Sequence, residues 1–182
     1  MIITSSWYSL VETVPGTFLN TWKGDNVLPG TQYAVTDSGW MTSSVFEDFF
    51  ESFVETTKDK RPLLVLLDGH LSHTTLATVE LAAKNDITIR KLPPHCMDLL
   101  QPLDVACFSP LKSYYDTKLM EFMQSTGGRE SLRKHLFVNM LCSVWREGLS
   151  EKNVVAGFRA TGIHPIDRSK YNTPFGRRWP SR

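Results

Sequence analysis

Two carboxylates stand where metal chemistry is plausible. Asp68 lies within LLVLLDGHLSH (63–73), in which five apolar residues lead straight into this acid, followed by Gly69. Asp104 ends LPPHCMDLLQPLD (92–104), and 35 residues lie between the two acids. Ligand crevices in α/β sheets open at the carboxyl ends of strands, and adjacent parallel strands bring those ends together. Two carboxylates placed so can converge on one divalent cation. Mg²⁺ takes one or two carboxylates and completes its shell with waters and phosphate oxygens. Metals held this way activate water and a leaving oxygen in phosphoryl transfer. Each acid also has a plainer reading. Asp68-Gly69 can be a strand-ending turn, and Asp104 can be a helix N-cap.

The other reactive side chains form weaker patterns. His70 and His73 are three apart but have no Cys partner at zinc spacing. His73 reads more simply as a residue that orients or caps the loop. His95 adjoins Cys96, but sequence neighbours rarely face each other as nucleophile and base, so His95 too reads as loop-orienting. There is no Walker A loop, GxGxxG or GxSxG, and no small-molecule cofactor is expected.

The elements that must position these residues can be read from periodicity. Residues 1–17 have little pattern, and 20–39 read as loop with a short strand over 32–36. Ser44 to Glu47 resembles a capping box. Behind it Phe46, Phe49, Phe50 and Phe53 predict a helix over 45–57 with an aromatic core face. Residues 63–67 predict a strand apolar on both faces, as inside a parallel sheet. A helix over 74–84 follows, with Ser72 or Thr74 as N-cap and Leu76, Val79 and Ala83 inward. A strand over 86–92 completes a βαβ unit. Further helices are expected over 105–123, with Phe108, Leu111, Tyr115, Leu119 and Phe122 on one face, and over 130–147 and 151–159. Gly127-Gly128 reads as a hinge, and the last 15 residues as an extended tail.

Bulk composition narrows the classes. The chain has 182 residues and ordinary globular composition, enough for one domain with an appendage. No apolar run approaches a membrane span and the start lacks a secretory layout, so no membrane contact is expected. Cys96, Cys107 and Cys142 are too few and too irregular for a disulfide framework and read as reduced thiols. Charge is uneven. Residues 129–182 hold 11 Lys+Arg against 4 Asp+Glu, a net +7, and residues 1–128 a net −6. A basic tail on an acidic front fits a nucleic-acid contact, or else a solvated tail with no partner.

The two acidic motifs together closely resemble the DDE superfamily endonucleases of the pogo/Tigger/Jerky transposase group, which includes domesticated, centromere protein B-like members. The similarity runs through NTWKGDNVLPGTQYAVTDSGWMTSSVFEDFF, LLVLLDGHLSH, KLPPHCMDLLQPLDVACFSPLKSYY and FRATGIHPID. It is good over 18–123 and looser over 131–167. The resemblance implies an RNase H-like α/β fold and Mg²⁺ (or Mn²⁺) carboxylates for DNA strand cleavage and transfer. It maps the second and third family aspartates onto Asp68 and Asp104. The family's first aspartate lies upstream of the matching segment, where this chain offers only 17 residues, without an Asp and with Glu12 alone as an acid. Met97 stands where a small hydroxyl residue is expected.

The resulting expectation is an incomplete RNase H-like fold, its first strands missing, with a helical carboxyl-terminal extension. Its divisions would be a segment 1–17, a core 18–126, an extension 127–167 and a basic tail 168–182. Asp68 and Asp104 would hold the metal, and Lys112, Arg177 and Arg178 would meet phosphates of DNA. A strand 63–67 lacking a neighbour would expose an apolar edge open to self-association. Three functions compete: a Mg²⁺-dependent nuclear DNA endonuclease, a catalytically inactive nucleic-acid- or protein-binding module derived from one, and a phosphatase-like hydrolase resting on Asp68 alone. The QPLD block disfavours the third, and the missing first aspartate inclines present activity toward the second.

Overall fold

A computed structural model of the chain describes residues 9–12, 23–37, 40–69, 73–94 and 96–171. They belong to two compact units, Met1–Pro94 with Arg133–Asn139 and His95–Leu132 with Met140–Arg182. The architecture is mixed α/β.

In the first unit, strand β1 (Ser9–Glu12) pairs in parallel with β2 (Gln32–Val35), Ser9 opposite Gln32. The amino-terminal segment thus supplies a strand that its pattern did not announce, because four residues carry too little period to detect. Helix α1 (Ser43–Thr56) follows. Its N-cap is Thr42, whose hydroxyl accepts from the Val45 N–H at 3.4 Å, so the cap falls two residues before Ser44. Phe46, Phe50 and Phe53 are buried as expected, and Phe49 packs half-buried beside them. Each buried ring contributes about 1.5–3 kcal/mol relative to exposure. Arg61 closes the far end of α1, donating to the Thr57 and Val54 carbonyls at 2.9 and 2.8 Å, where helix carbonyls lack partners.

Strand β3 (Leu63–Leu67), helix α2 (Leu76–Lys84) and strand β4 (Ile87–Lys91) form the βαβ unit. β3 and β4 run parallel, from Leu63 opposite Ile87 to Leu67 opposite Lys91. Two expectations need correction. Leu63, Val65 and Leu67 pack on the phenylalanine core with Ile87 and Ile89, but Leu64, on the other face, is 46% exposed. The strand is therefore not buried on both faces. The inner face of α2 is also rotated from the one expected. Its N-cap is Thr75, and Thr78 and Ala82 are buried, while Leu76 is 74% and Val79 46% exposed and Ala83 is exposed. Leu81 packs half-buried on the core beside Thr78 and Ala82, and Leu76 and Val79 lie outside that face.

The second unit is helical. It contains α3 (Met97–Leu100), α4 (Pro102–Ala106), α5 (Phe108–Ser125) and α7 (Glu151–Ala160). Helix α6 (Lys134–Gly148) gives its first six residues to the first unit and the rest to the second. The single helix expected over 105–123 is interrupted at Cys107. Pro110 explains the break: in a continuous helix it could not donate to the Ala106 carbonyl, whereas in the first turn of a new helix its missing N–H costs nothing. The expected inner face of α5 is only half-buried at Leu111, Tyr115, Leu119 and Phe122, and Phe108 is exposed. Gly127 and Gly128 (φ 60° and 69°) end α5, the Gly128 N–H reaching the Met123 carbonyl at 2.9 Å and the Gly127 N–H the Gln124 carbonyl at 3.2 Å. This is a Schellman cap. All three cysteines are buried and free.

Candidate active site

Asp68 is the first residue beyond β3, at the carboxyl end of the parallel pair. Its side chain is half-buried, 33% exposed. His73 Nδ1–H donates to Asp68 Oδ1 at 2.8 Å. A carboxylate only accepts, so the contact requires the proton on Nδ1. The His73 ring in turn lies against Phe46, centroids 4.5 Å apart and planes tilted by 30°. Phe46 is a core residue of α1, so the histidine is held from behind by the core and in front by the aspartate.

The return of the loop into α2 is fixed by a second polar group. The Thr75 hydroxyl caps α2, accepting from the Thr78 N–H at 3.2 Å, and donates to the Glu47 carboxylate on α1. Glu47 thus ties α1 to the loop that leaves Asp68, rather than completing a capping box on its own helix. On the neighbouring strand, Lys91 stands opposite Leu67, and the Leu92 N–H donates to the Leu67 carbonyl at 2.8 Å. Arg90 and Lys91, both exposed, therefore lie on the same sheet rim as Asp68. Nothing in the residue pattern marked them; only the register of β3 on β4 brings them there.

Asp104 belongs to the second unit. It is not an N-cap but the third residue of α4, half-buried, with Gln101 at the cap and Pro102 at the first helical position. A carboxylate in a first turn is favoured by the helix dipole. α4 is anchored by α7, where Gly157 lies so close to the Pro102 carbonyl that no Cβ would fit. α7 ends at Thr161, whose buried hydroxyl donates to the Gly157 carbonyl at 3.0 Å. Gly157, immediately before the FRATGIHPID segment, thus seats the helix that carries Asp104. Cys107, next to it, is fully buried, and burial raises its thiol pKa. Cys96 is also buried.

Lys112 is exposed on α5. His70, His95, Arg177 and Arg178 lie outside the described residues. Carboxylates are hard oxygen donors that suit Mg²⁺ or Mn²⁺. Asp68 and Asp104 are thus each of the donor type that such an ion takes. Among the described residues no group of three His, Cys, Asp or Glu side chains is gathered.

Comparison with known proteins gives these residues a context. A curated relative, the MFS-type transporter clz9 of Cochliobolus lunatus, is 30% identical over 151 residues, which cover 81% of this chain but 16% of that protein. The chain thus spans about a sixth of that relative's length. Among the described residues no helix is long and apolar enough to cross a membrane. No solved structure matches. The family that matches is the DDE superfamily endonuclease family, over residues 15–158. That match covers most of the chain and includes both Asp68 and Asp104, and the chain belongs to the DDE superfamily endonucleases.

Proposed function

We propose that this chain is the nuclease domain of a transposase-derived protein of the pogo/Tigger/Jerky type, which acts on DNA in the nucleus. Asp68 and Asp104 are two of three carboxylates for Mg²⁺ or Mn²⁺. The observation that carries the reading is the family match across both aspartates, with Asp68 held at a strand end. A bound divalent ion supplies water activation and stabilisation of the leaving oxygen. The protein's own part is orientation. His73 fixes one oxygen of Asp68, the phenylalanine core fixes His73, and α7 fixes the helix bearing Asp104. Lys112, Arg177 and Arg178 neutralise phosphates of the bound strand.

The test is nicking of supercoiled DNA by purified protein, with Mg²⁺, Mn²⁺ or chelator. Metal-dependent nicking that falls by about 100-fold or more in both Asp68→Asn and Asp104→Asn is the expected result. Nicking that survives either substitution sinks the assignment of that residue. A second reading is a catalytically inactive nucleic-acid- or protein-binding module derived from such a nuclease. Salt-sensitive DNA binding without any nicking selects it.

A further inference from the structure

We propose that the groove between α2 and the outer edge of β4 is a phosphate-binding track for a nucleic-acid strand, with Arg90 and Lys91 as its cationic contacts beside Asp68. The proposal rests on the DDE nuclease reading and adds to it a site outside the metal carboxylates. The groove encloses about 500 Å³ and is lined by Val79, Ala83, Asp86, Thr88, Arg90 and Lys91, among others. Small side chains, Ala83 and Thr88, leave its middle open.

The backbone register supplies the polar groups. The Leu63 N–H donates to the Asp86 carbonyl and the Leu92 N–H to the Leu67 carbonyl. Residues 86, 88, 90 and 92 therefore turn their backbone groups toward β3. Alternation in a parallel ladder turns those of Ile87, Ile89 and Lys91 the other way, along the edge that has no strand partner among the described residues. Successive strand side chains point to opposite faces, so Arg90 and Lys91 straddle this edge, along which the N–H groups of Ile89 and Lys91 point outward. Two cations flanking backbone N–H donors form a setting for phosphate oxygens.

Position and polarity decide the direction of the track. Lys91 is level with Leu67, one residue short of Asp68. Neighbouring strands lie about 4.8 Å apart and rise about 3.3 Å per residue, and a nucleic-acid strand advances about 3.4 Å per nucleotide. A phosphate held at Lys91 is thus within about two nucleotides of the Asp68 carboxylate. Asp86, the acid in the lining, stands at the opposite end of β4, so the positive charge is confined to the rim where the chemistry would occur. An acidic peptide could use the same charges, and the experiment separates the two.

The test is fluorescence anisotropy of a labelled single-stranded DNA and its duplex on the full chain, in chelator, between about 50 and 200 mM salt, the range over which phosphate contacts are lost. Arg90→Gln with Lys91→Gln should weaken binding about tenfold at low salt. It should also lower the slope of log K against log salt by about 1.4–1.8, the value for two lost phosphate contacts. Lys60→Gln with Lys152→Gln removes the same charge from exposed positions outside the groove and should change binding by less than about twofold. The charge-preserving pair Arg90→Lys with Lys91→Arg should keep the slope, which a merely structural role for these side chains would not predict. DNA binding with an unchanged slope in the Gln pair overturns the groove and leaves the DDE reading intact. An equal loss in the Lys60/Lys152 control, or preference for a labelled polyglutamate peptide over DNA, also overturns the groove. A wild-type chain that binds no DNA at low salt overturns both.

Discussion

Asp68 is placed by a short relay of side chains. Its partner His73 lies 2.8 Å away and against the Phe46 ring. Partners that orient a metal ligand affect metal affinity by about 10–100-fold. His73→Ala should therefore weaken Mn²⁺ binding in that range, measured by calorimetry or by paramagnetic relaxation, with the unfolding midpoint little changed. Equal Mn²⁺ affinity in the variant and the parent would reduce His73 to a packing residue. The 63–73 stretch showed both members of this pair, and the loop-orienting reading of His73 came from its residue type. Phe46 could not be joined to them from sequence, because 27 positions separate it from His73 and only the docking of α1 on the sheet closes that distance.

At the scale of elements, packing decided what periodicity left open. Helix α2 was legible as a helix, but its buried face was not. Leu76 and Val79 are the more apolar residues and are exposed, whereas Thr78 and Ala82 face the sheet. Leu76→Gln should accordingly cost no more than about 0.5 kcal/mol. Gly157→Ala should cost about 1–3 kcal/mol by forcing a methyl into the Pro102 carbonyl and pushing α4 away from α7. Urea unfolding of the two variants checks both values. A larger loss at Leu76 than at Gly157 would contradict the helix faces described above. The break at Cys107 carries the same lesson: the apolar spacing continues through it, but Pro110 does not allow the backbone to do so.

At the scale of the whole molecule, the exposed side of β3 has a consequence for assembly. Among the described residues β3 pairs with β4 alone, and Leu64 remains 46% exposed in a strand of five apolar residues. An apolar edge of this kind invites pairing with another chain. The protein should show concentration-dependent association in sedimentation velocity, and Leu64→Lys should reduce it. A wild-type chain that sediments as a monomer at all accessible concentrations would count against an open edge. Charge acts at the same scale, since the near-neutral total conceals a basic carboxyl-terminal third that repels a second such segment.

The sequence by itself determined the α/β character, the βαβ unit, the phenylalanine face of α1, and the two acidic motifs whose residues lie within the family match. These follow from local pattern: apolar period, turn residues and short specific strings. Tertiary structure decided which residues join those motifs. It set Phe46 behind His73, tied Glu47 to Thr75, brought Arg90 and Lys91 to the Asp68 rim, and seated Gly157 under Pro102. It also turned Leu64 and Leu76 outward. The physical reason is the same throughout. Periodicity marks which side chains are apolar, but the register of strands and the closeness of helices decide which of them meet.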